Sequence, residues 1–153
     1  MKPIRIGVIS DTHGLLRPEA FTALKGSARI IHAGDIGATT VIETLATIAP
    51  VTAVRGNCDR EVWADSLPQT QVVTVENSSF YILHDLNQLD LNPEAAGFQI
   101  VISGHSHQPK ISQAGGVLYL NPGSAGPRRF QLPVTLAWID LNGDQIEAQI
   151  VRL

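Results

Sequence analysis

Five short clusters along the chain carry side chains that suit divalent metal ions. They are Ser10-Asp11-Thr12-His13-Gly14, Ala33-Gly34-Asp35, Arg55-Gly56-Asn57-Cys58-Asp59, His84-Asp85 and Ser103-Gly104-His105-Ser106-His107. Four of the five histidines fall inside these clusters, a concentration that chance burial of histidine does not explain. Imidazole, carboxylate and amide oxygen together suit Mn, Fe, Zn, Ni or Co, and a single cysteine excludes an all-thiolate site. Residues at i and i+2 of an extended segment point to one side, roughly 6.5 to 7 Å apart. On that geometry Asp11 and His13 face one ion together. His105 and His107 straddle two ions about 3.5–4 Å apart.

Taken singly, each fragment has a duller explanation. Asp11 and His13 suit a strand end and a turn, and Asp35 suits a cap for the helix expected from Thr39. Asn57 after Gly56 suits a tight turn. The ordered set is harder to dismiss, because every fragment follows a segment that reads as a strand. Ile4 to Ile9 is short, apolar and β-branched, as a buried strand requires. Ala28 to His32, Val51 to Val54, Ser79 to Leu83 and Gln99 to Ile102 precede the other clusters. Between the first three lie two helical stretches. One is opened by Pro18-Glu19 and stopped by Gly26, and the other runs from Thr39 to Ile48 ahead of Pro50.

This alternation implies right-handed crossovers and a parallel sheet, whose ligands bind beyond the carboxyl ends of the strands. The second half reads as strand-rich. A hairpin pairs Gln71 to Glu76 with Ser79 to Leu83 around Asn77-Ser78, and a weak helix spans Leu89 to Ala96. Strands follow at Lys110-Gln113, Val117-Leu120, Val134-Ile139 and Gln145-Val151, with turns at Ala114-Gly115-Gly116 and Asn142-Gly143. Two sheets packed face to face and flanked by helices are expected, in one domain spanning 1–153.

Composition narrows the partners. Eleven Lys+Arg against fourteen Asp+Glu give a net charge of -3. No basic run exists beyond Arg128-Arg129, so general coating of nucleic acid is not expected. The apolar start is too short and too interrupted by Arg5, Asp11 and His13 for a signal peptide, and no segment approaches a bilayer-spanning length. A cytoplasmic protein is expected, and a homo-oligomer is compatible with the sequence. A dinucleotide site is a poor fit, because the first strand is not followed by the Gly-x-Gly-x-x-Gly turn. Arg17, Arg55, Lys110, Arg128 and Arg129 are candidates for gripping phosphate. His32, Trp63 and Trp138 read as packed residues, and Cys58 reads as a small buried one.

Asp-x-His, Gly-Asp, Gly-Asn-x-Asp, a lone His and Gly-His-x-His, in that order, resemble the signature of the calcineurin-like metallophosphoesterases. Within them the chain is most similar to the short phosphodiesterases of the YfcE and MJ0936 kind, from Asp11 to Ser124. The resemblance implies an α/β fold, a four-layer α-β-β-α sandwich of two mixed sheets. It also implies two metal ions, with Mn expected and Ni, Zn, Fe, Co or Mg compatible. Asp11, His13, Asp35 and His107 would bind one ion. Asp35, Asn57, His84 and His105 would bind the other, with Asp35 bridging. Asn121-Pro122-Gly123-Ser124 resembles a loop that supports the cluster.

The implied activity is hydrolysis of a small phosphodiester or nucleotide-like substrate by a hydroxide held between the ions. Asn57, His105, Cys58 and Asp59 are the residues expected nearest the reaction. A phosphomonoesterase in the same site and a non-catalytic protein-interaction scaffold on the same fold are the alternatives. Two departures from the family pattern stand out. Cys58 occupies a place where many relatives have His, and Asp85 follows His84 where Gly is usual.

Overall fold

The computed structural model describes residues 2–153. Strand β1 (Ile4–Ile9), helix α1 (Pro18–Leu24), β2 (Arg29–His32), α2 (Thr39–Ala46) and β3 (Val51–Ala53) follow the expected alternation. Strands β1, β2 and β3 pair in parallel. The last two strands, β9 (Thr135–Asn142) and β10 (Gln145–Arg152), join the other edge of β1 antiparallel and complete a sheet of order β10-β9-β1-β2-β3. The second sheet has order β4-β5-β6-β8-β7. Its strands are β4 (Thr70–Val75), β5 (Ser78–Leu83), β6 (Ile100–Ile102), β7 (Lys110–Ala114) and β8 (Val117–Asn121). Here β5, β6 and β8 are parallel, and β4 and β7 are antiparallel edges. Both sheets are therefore mixed, as expected.

Alternation along the strands explains the layers. Ile6 and Val8 of β1 face the second sheet and pack with Phe80, Ile82, Ile100, Ile102 and Leu120 in a core between the sheets. Ile9 faces the other way, into a second core with Leu24 of α1 and Val41 and Leu45 of α2. Gly7 lies under α1. A Cβ there would stand 2.5 Å from a Leu24 methyl and 2.7 Å from Ser27 Oγ, so the missing side chain lets the helix sit close. The outer face of the second sheet carries a smaller cluster of Tyr81, Leu83, Val101 and Val117. Its cover is thin: the single-turn helix α3 (Pro93–Ala96) and the apolar residues Leu89, Leu91 and Phe98.

Two boundaries differ from the sequence reading. The helix expected over Leu89 to Ala96 is reduced to α3, because Asn92 caps it from in front, accepting from the Ala95 N–H at 3.2 Å. Gly97, at φ 85, ends it. The hairpin pairs Val75 with Ser78, so Glu76 and Asn77 make the turn instead of Asn77 and Ser78. Ser79 is pinned from its other side, where its N–H donates to Gln99 Oε1 at 2.7 Å.

Candidate metal centre

The loops that leave the parallel strands are laced to one another at one rim of the two sheets. Asp11 N–H donates to Gly34 O at 3.0 Å and His13 N–H to Asp35 O at 2.9 Å, which zips the loop after β1 to the loop after β2. Gly104 N–H donates to His84 O at 2.9 Å, joining the ends of β6 and β5. The two sheets meet where His105 N–H reaches Asp11 Oδ2 at 3.1 Å and Ser124 Oγ donates to Asp11 O at 3.0 Å. Gly104 makes this approach feasible. A Cβ on it would run into Ser10 Oγ and stand 2.7 Å from Asp11 Oδ2.

The ligand residues do not converge through strand geometry. Asp11, His13, Asp35, His105 and His107 take φ values of 55, 47, 55, 72 and 62, all left-handed. The extended i, i+2 arrangement expected for Asp11 with His13, and for His105 with His107, is thus replaced by tight left-handed turns. Non-glycine residues rarely adopt this backbone. Each instance costs on the order of 1–3 kcal/mol, and such strain gathers where surrounding contacts over-determine a site. Only two other non-glycine residues among those described share it, Glu76 and Phe130.

The seven expected ligands come together as two adjoining groups. In the first, the buried Asp11 Oδ1 lies 3.3 Å from His107 Nε2 and 3.9 Å from His13 Nε2, and the His13 and His107 rings are 5.5 Å apart. In the second, Asn57 Oδ1 stands 3.0 Å from His84 Nε2 and 3.2 Å from His105 Nδ1. Asp35 Oδ2 lies between them, 3.7 Å from His13 Nε2 and 3.2 Å from His84 Nε2.

Donor chemistry tests whether a cation fits. His84 Nδ1 is 2.7 Å from Ala33 O. A carbonyl only accepts, so Nδ1 carries the proton, and Nε2 is the nitrogen whose lone pair faces the group once it gives up its proton to a cation. That lone pair, a carboxylate oxygen and an amide oxygen then point at one another. Asp11 Oδ1 and His13 Nε2 are buried atoms without any hydrogen-bond partner, an arrangement that is costly for uncompensated polar groups. The Asp11–His13–His107 and Asp11–Asp35–His84 groups each bring three donor atoms within 4.8 Å of one another. A metal ion fits these donors, because it supplies the positive charge they all face.

The charges follow the same logic. Burial would raise the Asp35 carboxyl, but a hydrogen bond from His84, the Cys58 N–H at 2.8 Å and the charges of His84 and His13 hold it well below the usual carboxylate range. Burial would lower His84; its contact with Asp35, the Asp11 charge and the Ala33 carbonyl raise it instead. The Cys58 thiol is raised by desolvation and by the Asp35 carboxylate, so it stays protonated near neutral pH.

Several residues stand elsewhere than expected. Cys58 is exposed, not buried. Asp59, expected near the reaction, is turned toward the main chain. Its buried carboxylate accepts the N–H groups of Ile36, Gly37 and Gly56 at 3.2, 3.1 and 3.0 Å, so it clamps the loop after β3 to the loop after β2. Asp85 turns away from His84: it accepts the Asn87 N–H at 3.0 Å and places Oδ2 4.0 Å from His105 Nε2. Asn121 supports the cluster as expected, donating to Gly104 O at 2.9 Å. Arg17 and Arg128 are bonded to the carbonyls of Gly126 and Leu132, and Lys110 lines a neighbouring hollow. Arg60 was not among the sequence candidates, yet it lines the cleft beside Asn57. Its place in the Asn57 loop, three residues on, was the available signal.

Known proteins resemble this chain in sequence and in fold. The sequence model of the calcineurin-like phosphoesterase superfamily domain matches residues 4–144. A probable metallophosphoesterase of Methanothermobacter thermautotrophicus is 35% identical, with 96% of this chain and 91% of that protein aligned. The phosphodiesterase MJ0936 of Methanocaldococcus jannaschii is 27% identical, over 78% of this chain and 83% of its own. Among solved structures, vacuolar protein sorting 29 from Cryptosporidium parvum superposes with a TM-score of 0.84 at 19% identity, covering 100% of this chain and 93% of that one. That likeness is one of fold. The chain belongs to the calcineurin-like phosphoesterase superfamily.

Proposed function

We propose that the protein is a phosphodiesterase that works with two divalent ions, Mn being the expected metal. Asp11, His13, Asp35 and His107 hold one ion, and Asp35, Asn57, His84 and His105 hold the other, with the Asp35 carboxylate shared. The observation that carries this reading is the buried Asp11 Oδ1, which faces imidazole nitrogens and accepts no hydrogen bond. Bound ions of this kind draw charge from phosphoryl oxygens and make water acidic enough to react near neutral pH. The chain's own contribution is to fix donor positions and orientations. Ala33 O sets the His84 tautomer, and Ser10 Oγ, at 2.7 Å, with the His105 N–H holds Asp11 Oδ2 in place. Asn57 and His105 face the open side, where a substrate arrives. Cys58 sits beside them as a neutral thiol, while Asp59 acts by holding the Asn57 loop.

A diester is favoured over a monoester by charge. Asp85 adds a carboxylate beside His105, which disfavours a dianionic phosphate more than a singly charged one. The relatives named phosphodiesterase point the same way. A small, nucleotide-like diester met in the cytoplasm is the substrate this reading expects. The test is hydrolysis of bis-p-nitrophenyl phosphate and p-nitrophenyl phosphate by metal-stripped protein, before and after Mn is added. Mn-dependent turnover of the diester above the monoester supports the proposal, and the reverse order makes the protein a phosphomonoesterase. No turnover of either ester by protein that binds Mn favours an interaction scaffold, a role that the fold shared with vacuolar protein sorting 29 brings into view.

A further inference from the structure

A cleft of about 590 Å³ opens at Asn57 and His105. That is far more room than one phosphoryl group occupies, and it falls in the roughly 300–1,000 Å³ range of small-molecule sites. Its two sides differ in chemistry. On the side of the Asn57 loop stand two guanidinium groups, Arg55 and Arg60. Each is anchored through Nε to a carbonyl of that same loop, Arg55 to Asp59 O at 3.0 Å and Arg60 to Asn57 O at 3.1 Å. The anchoring fixes both cations relative to Asn57 and leaves the terminal nitrogens of Arg60 for a ligand. Among the described residues Arg55's terminal nitrogens make one ion pair, with Asp65 at 3.9 Å and two-thirds exposed, a pairing worth little in water. The segment after β5 contributes acceptors to the same cleft: Asp85, Asp90 and the amide of Gln88.

Guanidinium groups recognise phosphate through paired N–H donors. Carboxylates beside them would repel that phosphate but accept well from sugar hydroxyls. A ligand spanning both sides therefore carries a phosphate and, a few bonds away, hydroxyl groups. We propose that the cleft seats one half of the diester and that this half is a ribonucleotide with a phosphate of its own. Arg60, with Arg55, binds this second phosphate, and Asp85 and Asp90 accept from ribose hydroxyls. The inference rests on the phosphodiesterase reading of the adjacent site and specifies its substrate class. The reaction is ordinary hydrolysis. Water oxygen bonds to phosphorus, the bond from phosphorus to the leaving oxygen breaks, and a proton from that water ends on the leaving alcohol.

The experiment compares kcat/KM for the dinucleotides pUpU and UpU, with bis-p-nitrophenyl phosphate as a third substrate, in the Mn-loaded protein and in its Arg60→Gln and Arg60→Lys variants. The native protein is expected to prefer pUpU over UpU by at least tenfold. Arg60→Gln is expected to bring that ratio to within about twofold of unity, with Arg60→Lys between the two. Equal kcat/KM for both dinucleotides in the native protein overturns the inference, as does an undiminished ratio in Arg60→Gln. Cleavage of bis-p-nitrophenyl phosphate with neither dinucleotide cleaved also overturns it, while leaving the phosphodiesterase reading intact. Failure of all three substrates overturns both.

Discussion

Asp59 and Cys58 are neighbours in sequence with opposite duties. The carboxylate of Asp59 is 2% exposed and takes three main-chain N–H groups. An amide in its place keeps one good acceptor and turns an NH2 toward N–H donors, leaving a buried donor without a partner. Asp59→Asn is therefore expected to lower stability by about 1–3 kcal/mol, read as a shifted urea midpoint with an unchanged slope. A midpoint within error of the native protein would mean that the clamp is not needed. Partial desolvation of its thiol and the Asp35 carboxylate raise the Cys58 pKa, so it is a poor proton donor to a departing alkoxide. Hydrolysis should consequently depend steeply on the leaving group, with p-nitrophenyl esters cleaved orders of magnitude faster than alkyl esters. A series of diesters of graded leaving-group acidity measures this, and a flat series would contradict it.

Among elements, β5 ties the fold to the site, because it leads directly into His84 and its Phe80 is fully buried between the sheets. Phe80→Ala empties that position and should cost about 3–5 kcal/mol. Val72→Ala on the exposed face of β4 should stay within about 0.5 kcal/mol. Chemical denaturation of both variants checks the contrast, and equal losses would place the core elsewhere. The strands were legible because β-branched runs such as Ile4–Ile9 and Ile100–Ile102 leave little choice of structure. The hairpin turn was less so. Glu76 takes a left-handed backbone although nothing in a glutamate announces one, whereas Asn77-Ser78 resembles an ordinary turn pair. The same limit applied at the metal centre. The residue types and their order were readable, but not the left-handed turns at Asp11, His13, Asp35, His105 and His107, which depend on loops zipped together from distant strands. The clamp role of Asp59 and the cleft position of Arg60 depend on those long-range contacts too.

For the molecule as a whole, the buried network behind the metal centre sets a pH limit on stability. His32 is wholly buried; Gly34 N–H donates to its Nδ1 at 3.1 Å. Its Nε2 lies 3.0 Å from Thr12 Oγ1, whose own proton goes to Ile36 O, so Nε2 donates to Thr12 and the ring is neutral. Burial lowers its pKa from 6.5 to about 4. The unfolded chain takes up a proton on this ring as pH falls through 6.5, and the folded chain resists until about pH 4. The contribution of His32 is thus complete above pH 6.5 and is lost as pH falls toward 4. Between pH 7 and pH 5 the loss amounts to about 2 kcal/mol. Metal-free protein unfolded by urea at both pH values should show this fall, and His32→Gln should show it reduced by about that amount. An identical fall in the variant would remove His32 as the cause.

The central claim is that seven side chains drawn from both sheets hold two ions through a shared Asp35. Counting Mn bound per chain at saturation, in the native protein and in Asp35→Ala, tests it most directly. Two ions in the native protein, at most one in Asp35→Ala and loss of diester hydrolysis in that variant are the expected results. A native protein that binds one ion or none, or an Asp35→Ala variant that still binds two, would contradict the shared-carboxylate centre.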